Sequence, residues 1–441
     1  MLYILYLNDA KAVLWRRLHF TNSGYFVIIA MAISVVLSID PKMSMAYQIL
    51  GFLAVILMVA FLYSLSFKVN FHIKRLLPKY ATVEHPVYYK ILIENISKKK
   101  EVGLEILDIF KDLRPTFDEF IGSNLNSRFQ PFLYHNWHWL IKRKAHNVDL
   151  IPRQLPTILP GETIEVQMQL TPTVRGRLGF ATILIARKDP FGLFRATRKI
   201  KLEDSIIVLP KRYEIEEFKL RGSRRYHRGG VALAAFTGDS EEFHSLKDYT
   251  PGEQLRFIDW KSLAKTDKLV VKKYQEEYFA RHALVLDTFG DERLMPAFEL
   301  GVSIAASFIA TIDDSECLLD LMFVENDVYC FTMGRGLGDK INSIEVLASI
   351  ALCKDKGFSV LVSSVESRVH LLTSIIFVFL AWDKRRKALV DLVRATGLDV
   401  RVIVVCDKKL NNVDEALPFD GLVHMIHTDR ALEDLKRLSI R

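Results

Sequence analysis

Three aspartates that belong to strand-like apolar runs are the side chains in this sequence best placed to do chemistry. Asp287 lies within HALVLDTF (282–289), Asp383 ends SIIFVFLAWD (374–383) and Asp407 ends VRVIVVCD (400–407). Open parallel sheets bind their ligands at the carboxyl ends of the strands, where all three would lie. Clustered carboxylates can hold one or two metal ions, so this edge could support metal-dependent hydrolysis.

Asp287, Asp291 and Asp383 are predicted to converge at this edge of the sheet. Such a group needs a cation, protons or nearby basic side chains, because like charges repel one another. One alternative is a divalent cation such as Mg²⁺, which prefers several oxygen ligands. The other is Arg335 in GRGLG (334–338), whose guanidinium would supply positive charge without a metal.

The sequence offers no other recognisable catalytic pattern. It contains no Gly-x-Ser-x-Gly elbow, no His-Glu-x-x-His helix and no phosphate-binding loop. The glycine- and arginine-rich RGSRRYHRGG (221–230) lacks the Lys-Ser/Thr pair that completes such a loop. Two hypotheses remain: a non-enzymatic interaction module, which we favour, and a metal-dependent hydrolase that uses the strand-end aspartates.

Residues 281–441 must position these aspartates, and their strand-like and helix-like segments alternate. The helical segments are 294–312, 341–356 and 384–397. This alternation predicts a doubly wound α/β domain around a parallel sheet. The cysteines lie in apolar segments without Cys-x-x-Cys spacing, which predicts reduced core residues rather than disulfides or a zinc site. They are Cys317, Cys330, Cys353 and Cys406.

Residues 68–210 contain apolar, β-branched runs separated by turn residues, such as VYYKILIEN (87–95) and TIEVQMQLTP (163–172). Several such strands predict an antiparallel, β-sandwich-like domain. Aromatic, histidine and basic residues interrupt the pattern at 128–147, where loop packing, a membrane or partner contact and a metal site remain open. Residues 211–280 are predicted to link this domain to the α/β domain.

Residues 1–67 predict a short cytoplasmic segment followed by a membrane anchor. Two apolar segments without charged residues, at about 20–39 and 45–67, could each form a transmembrane helix, and the short linker between them predicts a hairpin. A buried pair of soluble helices is the alternative. The flanking cations place both ends in the cytoplasm by the positive-inside rule. They are Lys11, Arg16 and Arg17 before the hairpin and Lys68, Lys74 and Arg75 after it.

Composition agrees with a membrane-anchored protein that faces the cytoplasm. The 441 residues are 50% hydrophobic and carry a net charge of +8. Positive charge suits an anionic lipid surface or an acidic partner. A nucleic-acid partner would rest on charge alone and is not expected, because part of the surplus flanks the apolar segments. We expect a two-helix protein of the inner (plasma) membrane with most of the chain in the cytoplasm.

The segment before the α/β domain gathers turn, aromatic and basic residues that could form a partner surface. These are Tyr249, Gly252, Arg256, Asp259, Trp260, Lys261 and Lys265. The structural alternative is that Trp260 is a buried anchor, Asp259 caps a local turn and the lysines are solvated. For Trp260 we favour burial, which predicts a cost of about 3–5 kcal/mol for Trp260→Ala.

Several stretches of the chain resemble the domain of unknown function 58 family. FHSLKDY (243–249), PGE (251–253), RFIDWK (256–261) and AK (264–265) are similar to the signature of that family, as are the upstream RG (175–176) and DPFGLF (189–194). Paired N-terminal membrane helices are also typical of it, so the resemblance covers nearly the whole chain. Lysine at 247 and 265 and glutamate at 253 replace the usual Arg, Arg and Asp, and lysine does not reproduce the bidentate bonding of arginine.

The resemblance implies a von Willebrand factor A-like fold for residues 281–441, association with MoxR-type AAA+ ATPases and no assigned reaction. Related A domains bind a metal ion through Asp-x-Ser-x-Ser, a threonine and a later aspartate. Here Asp287 is kept, Phe289 and Asp291 replace the serines, and Asp383 matches the later aspartate. Because Phe289 removes an oxygen ligand, we expect no bound cofactor; Mg²⁺ or another divalent cation at a degenerate site is the alternative.

Overall fold

The computed structural model divides the chain into two compact units, Met1–Lys211 and Arg212–Arg441. The division lies beside the domain boundary predicted at 210/211. The residues that the structure describes are 21–39, 44–111, 152–215, 242–251, 255–266, 268–275, 280–312, 317–334, 340–407, 413 and 422–438. The aromatic and basic stretch at 128–147, Gly252 and Arg335 lie outside these ranges.

Two apolar helices begin the described part of the first unit: α1, Asn22–Leu37, and α2, Ser44–Leu65. Thr21 starts α1, because its extended backbone and its hydroxyl, which accepts a hydrogen bond from the Gly24 amide at 3.1 Å, form an N-cap. Within the described residues, Met45–Leu65 is the one helix long and apolar enough to cross a membrane, judged by length and composition. Many large apolar side chains of both helices are exposed, including Phe26, Ile29 and Phe52.

Two sheets follow the helices in the first unit. The three-stranded antiparallel sheet has the order β1-β3-β6, and the five-stranded sheet has the order β2-β8-β7-β4-β5, in which only the β2–β8 pair is parallel. The strands are β1 Phe71–Leu76, β2 Tyr80–Thr82, β3 Val87–Asn95, β4 Leu104–Phe110, β5 Arg153–Gln154, β6 Thr163–Leu170, β7 Gly176–Lys188 and β8 Arg195–Leu209.

Both sheets contribute to one hydrophobic core. Strand β6 alternates as the sequence predicts, so Val166, Met168 and Leu170 are buried on one face. They belong to the same cluster as Ile91 of β3 and Phe180 of β7, which come from the two different sheets. Two sheets around one shared core form a sandwich-like domain.

A buried ionic network joins the two sheets of the sandwich. Arg75 of β1 donates to Asp108 of β4 through Nε and Nη2, at 3.1 and 2.6 Å, and to Asp204 of β8 through Nη1 at 2.6 Å. The Tyr89 hydroxyl donates to Asp108 at 2.9 Å, and the guanidinium lies 4.6 Å from the centre of the Phe180 ring. Arg75, counted from the sequence as a cation that flanks the membrane anchor, is therefore a core residue.

The predicted linker between the domains contains regular structure. Strands β9, Glu242–Asp248, and β10, Val270–Gln275, form a two-stranded antiparallel sheet. Between them, a 3-10 turn at Leu255–Phe257 precedes the short helix α3, Trp260–Thr266. Ile258 forms an isolated bridge with Val271, and both side chains are buried. This segment is therefore a small folded element of the second unit.

A six-stranded sheet forms the main part of the second unit, in the order β13-β12-β11-β14-β15-β16. All neighbours are parallel except β12 and β13, which form an antiparallel hairpin at one edge. The strands are β11 Ala280–Leu286, β12 Cys317–Val324, β13 Val328–Met333, β14 Ser374–Phe379, β15 Asp399–Cys406 and β16 Val423–His427. The helices are α4 Met295–Thr311, α5 Lys340–Ser349, α6 Ser359–Glu366, α7 Lys384–Ala395 and α8 Ala431–Leu438.

The core of this sheet agrees with the sequence prediction of a parallel α/β domain. Strand β14 is buried at every position, as expected when both faces of a parallel sheet are covered. The antiparallel edge strand β13 and the helix α6 are departures from the predicted pattern. None of the four cysteines forms a disulfide, and burial raises the pKa of Cys406 to about 11, which is consistent with an inert core thiol.

Candidate functional site

Asp287 and Asp383 meet at the point where the strand order of the six-stranded sheet reverses. Asp287 directly follows β11, and Asp383 lies between the neighbouring strand β14 and helix α7. In doubly wound sheets the crevice at this position is the usual ligand site. Asp407 follows the next strand, β15.

The Asp287 carboxylate is completely buried, and both of its oxygens accept hydrogen bonds. Its Oδ1 accepts a hydrogen bond from the Phe289 amide at 3.0 Å, and its Oδ2 accepts one from the Leu380 amide at 3.1 Å. Oδ2 also accepts a bond from Nε of Arg386 at 2.7 Å. Main-chain groups after both strands therefore fix Asp287, and an arginine supplies its counter-charge.

Asp383 is the N-cap of α7 and binds the same arginine. Its Oδ1 accepts hydrogen bonds from the amides of Arg385 and Arg386, at 3.0 and 2.9 Å, which satisfies two donors of the first helical turn. Its Oδ2 accepts a bond from Nη1 of Arg386 at 2.5 Å. The three-residue spacing allows a helical side chain to reach back to its own cap.

Arg386 therefore lies between the two strand-end carboxylates. The side chain is nearly buried, and its guanidinium lies 5.0 Å from the centre of the Phe358 ring. Burial alone would lower the pKa of Arg386, but the carboxylates of Asp287 and Asp383 outweigh burial and hold it above the usual value. The guanidinium of Arg386 thus neutralises both carboxylates, a role for which the sequence suggests Arg335 or a metal ion.

Asp291 does not share this guanidinium. It lies on an exposed turn and pairs with Arg293, whose Nε donates to Oδ2 at 2.7 Å. This hydrogen bond lowers the pKa of the Asp291 carboxyl. Among the described residues, no group of three or more histidine, cysteine, aspartate or glutamate side chains has the arrangement of a metal site. The predicted convergence of Asp287, Asp291 and Asp383 is therefore limited to Asp287 and Asp383.

A sequence signal for Arg386 was present in KRRK (384–387) at the start of α7. Cations in the first turn of a helix are unfavourable, because the amino end of the helix carries partial positive charge. A cluster of them there indicates a nearby acidic partner. Asp383 at the cap and Asp287 at the end of a neighbouring strand are those partners.

Tyr249, Asp259, Trp260, Lys261 and Lys265 of the proposed partner surface lie in or beside the small folded element of β9, β10 and α3. Asp259 caps α3: its Oδ1 accepts from the Lys261 amide at 3.2 Å and its Oδ2 from the Ser262 hydroxyl at 3.0 Å. The Tyr249 amide donates to the Leu269 carbonyl at 2.9 Å. Arg256 lies in the 3-10 turn before the helix. The capping role proposed for Asp259 as the structural alternative is therefore what the geometry shows.

Trp260 is 62% exposed, so the prediction that it is a buried anchor is wrong. Helix α3 has seven residues and none of them is buried, because Ile258 and Val271 supply the apolar contact of this element. Lys261 and Lys265 are exposed on the same short helix. Trp260 therefore belongs with the residues that face solvent or a partner.

Comparisons with known proteins give little further information. No protein-family model matches the chain. A curated protein of Bacillus subtilis (strain 168), the uncharacterized protein YeaD, is 24% identical over 152 residues, which are 34% of this chain and 36% of that protein. The chain thus matches about a third of the length of this relative.

Two solved structures illustrate the similarity to proteins of known structure. The CARDB domain of PF1109 from Pyrococcus furiosus has 9% identity and a TM-score of 0.17, covering 32% of this chain and 94% of that one. A β-glucosidase from Listeria innocua in complex with gluconolactone has 12% identity and a TM-score of 0.16, covering 32% of this chain and 16% of that one. TM-scores this low support no conclusion about fold or function.

Proposed function

We propose that this protein is a membrane-anchored, non-enzymatic module that presents a cytoplasmic surface to a protein partner. The observation that carries the proposal is the exposure of Trp260, with the exposed Lys261, Lys265 and Lys268 close to it in the sequence. We define the Trp260 surface by its exposed residues, Leu255, Trp260, Lys261, Lys265 and Lys268. Tryptophan is enriched among the residues that dominate binding energy at protein interfaces.

The charge and the family resemblance suggest the kind of partner. Exposed lysines close in the sequence to an exposed tryptophan suit an acidic partner surface that contains an apolar pocket. The resemblance of this segment to the domain of unknown function 58 family suggests a MoxR-type AAA+ ATPase. The strand order with an antiparallel edge is a doubly wound order and is compatible with the von Willebrand factor A-like fold that the resemblance implies.

Replacing Trp260 with alanine is expected to weaken partner binding without unfolding the protein. An exposed site should change the free energy of unfolding by about 0.5 kcal/mol or less. Loss of a central tryptophan should lower affinity by about 2 kcal/mol or more, roughly thirtyfold. Binding of a purified MoxR-type ATPase to the full chain in detergent would be measured by surface plasmon resonance.

Leu432→Ala is a matched control for this experiment, because Leu432 is also an exposed apolar residue at the start of a helix in the second unit. The control should bind the ATPase as the wild type does. Equal affinity of Trp260→Ala and wild type would contradict the role of the Trp260 surface. Failure of the wild type to bind would instead reject this class of partner.

The proposed anchor is a hairpin of α1 and α2 in the inner (plasma) membrane. Helix α2 is long enough to span a bilayer. Helix α1 contacts α2 and exposes Phe26, Ile33 and Val36. A bilayer would remove these apolar surfaces from water, which supports insertion of both helices.

Both ends of the chain are expected to be cytoplasmic. A cysteine at position 43, between the two helices, should react with a membrane-impermeant maleimide in intact cells, whereas one at position 440 should react only after lysis. The reagent does not cross the membrane, so the native cysteines of a cytoplasmic second unit would remain unlabelled. The reverse labelling pattern would contradict the proposed orientation.

The hydrolase hypothesis receives less support from the site geometry. Both carboxylates that would hold a catalytic metal are bonded to Arg386. A metal ion would have to displace a guanidinium that is buried and bonded to both. We therefore propose that the strand-end aspartates stabilise the domain rather than perform hydrolysis.

A further inference from the structure

Three loops of the sandwich lie together at one end, which we call the helix-proximal end: residues 96–103, 155–162 and 189–194. The side-chain Nδ2 of Asn95 donates to the carbonyls of Lys99 and Ile158, at 2.9 and 3.3 Å, which joins the first two loops. The backbone of Glu101 forms an isolated β-bridge with Ile158. The Glu101 carboxylate forms an ion pair with Arg187 at the end of β7. The turn between β7 and β8 therefore belongs to the same end.

Both apolar helices join the sandwich at this end. The hydroxyl of Thr21, at the start of α1, donates to the Leu193 carbonyl at 3.0 Å. The approach is close, because a Cβ on Gly24 would collide with that carbonyl. Just after α2, the Phe67 ring lies 5.1 Å from the guanidinium of Arg187. The helix-proximal end is thus the part of the sandwich nearest to the proposed membrane.

The loops of the helix-proximal end expose an unusual combination of apolar and basic side chains. The exposed apolar residues are Ile96, Val102, Leu159 and Phe191. The exposed basic residues are Lys98, Lys99 and Lys100. Exposed apolar side chains next to lysines are the composition that binds the interface of a bilayer with anionic lipids.

Phe191 is held in an outward position by its own turn. Asp189 accepts hydrogen bonds from the amides of Phe191 and Phe194, at 2.9 and 2.5 Å, and is buried. Phe191 itself is 51% exposed at the tip of the turn. The turn therefore presents a large aromatic side chain on a fixed backbone beside the start of α1.

The length of α1 sets the depth of this turn. Its 16 residues span about 24 Å, whereas the hydrocarbon core of a bilayer is about 30 Å thick. A helix shorter than the core draws its flanking residues toward the hydrocarbon boundary. Thr21, and the turn bonded to it, would then lie at headgroup depth.

We propose that the helix-proximal end of the sandwich is a lipid-binding surface that contacts the same membrane as the helices and selects anionic headgroups. Phe191 and the other exposed apolar residues of this end enter the interface, and Lys98, Lys99 and Lys100 attract phosphate-bearing anionic lipids. The proposal rests on the membrane insertion of the helices proposed above. It gives the DPFGLF turn a role besides joining β7 to β8.

Photo-crosslinking of the full chain in vesicles tests this proposal. The photoreactive residue p-benzoylphenylalanine would replace Phe191, or Phe52 of α2 as the positive control, or Tyr88 as the negative control. Tyr88 is a matched control: it is aromatic, 54% exposed and at the opposite end of β3, about 23 Å along the strand from Asn95. The vesicles would contain equimolar phosphatidylcholine and phosphatidylglycerol, and mass spectrometry would identify the lipid adducts.

We expect lipid adducts from positions 191 and 52 and none above background from position 88. Adducts at 191 should be enriched in phosphatidylglycerol relative to those at 52, and K98Q/K99Q/K100Q should abolish that enrichment. Lipid adducts at 52 but not at 191 would overturn the proposal and leave the membrane anchor intact. No adduct at 52 would reject the anchor itself. Equal enrichment with and without the three lysines would overturn the selection of anionic lipid.

Discussion

Replacing Arg386 with methionine is expected to destabilise the second unit by about 3–5 kcal/mol, because the Asp287 carboxylate would stay buried without a counter-charge. Methionine keeps most of the side-chain volume, so the change removes charge and hydrogen bonds rather than packing. The free energy of unfolding would be measured by urea titration of the full chain in detergent. Tryptophan fluorescence would report the transition through Trp382, which is buried next to Asp383.

Two further variants separate this effect from a general loss of surface charge. Arg385→Met removes the same charge from the neighbouring exposed position and should change stability by about 0.5 kcal/mol or less. The double variant Arg386→Met/Asp287→Asn should lose less free energy of unfolding than the sum of the losses of the two single variants, because it has no unpaired buried charge. An Arg386→Met protein as stable as Arg385→Met would contradict the neutralising role of Arg386.

Mg²⁺ is expected to leave the melting temperature of the wild type unchanged, since Arg386 already neutralises Asp287 and Asp383. A ligand that binds only the folded state raises the melting temperature, so a real metal site would be visible in this measurement. A Mg²⁺-dependent rise that disappears in Asp287→Ala would show that the metal-dependent alternative is correct.

The second large effect is expected from Arg75→Met in the sandwich. Arg75 has a buried side chain and contacts Asp108 and Asp204, so its removal leaves Asp108 buried without a cation and should cost about 3–5 kcal/mol. Lys74→Met, which changes the exposed neighbour on the same strand, is the control and should change stability by about 0.5 kcal/mol or less. Comparable losses from the two variants would contradict the network.

The pH dependence of Arg75→Met gives an independent test of the network. Burial raises the pKa of Asp108 in the folded protein, although Arg75 opposes the shift. Without Arg75, the folded-state pKa should rise further above the unfolded value. Folding then takes up a proton, so the stability of the variant falls as pH rises through that pKa. The difference in the free energy of unfolding between wild type and Arg75→Met should be largest at neutral pH and smaller near about pH 4.

The sequence indicated much of the fold because local patterns decide where the strands and helices lie along the chain. The strict alternation in β6 and the buried run of β14 were both readable as strands. Asp287 and Asp383 could be placed at strand ends for the same reason. The inward position of Arg75 was not predicted, although Arg75 follows Phe71 and Ile73 at the two-residue spacing that places all three on one face of β1.

What the sequence did not indicate depends on contacts between distant segments. Arg386 binds Asp287 across 99 positions of the chain, so no local pattern pairs them. Trp260 was expected to be buried because large aromatic residues usually are, but Ile258 and Val271 already fill the small apolar contact of its element. The counter-charge of Asp287 and the exposure of Trp260 are both decided by tertiary packing, which local sequence patterns do not specify.

The attachment of both helices to one hairpin has a mechanical consequence. The β7–β8 hairpin holds Thr21 at its turn and Phe67 at the end of β7, and its strands of 13 and 15 residues run through the centre of the larger sheet. Two separate points of attachment restrain every rotation except the one about the line that joins them. A force applied to the sandwich would therefore be transmitted to the two helices as tension and torque. A flexible linker in the same place would extend first and transmit little of it.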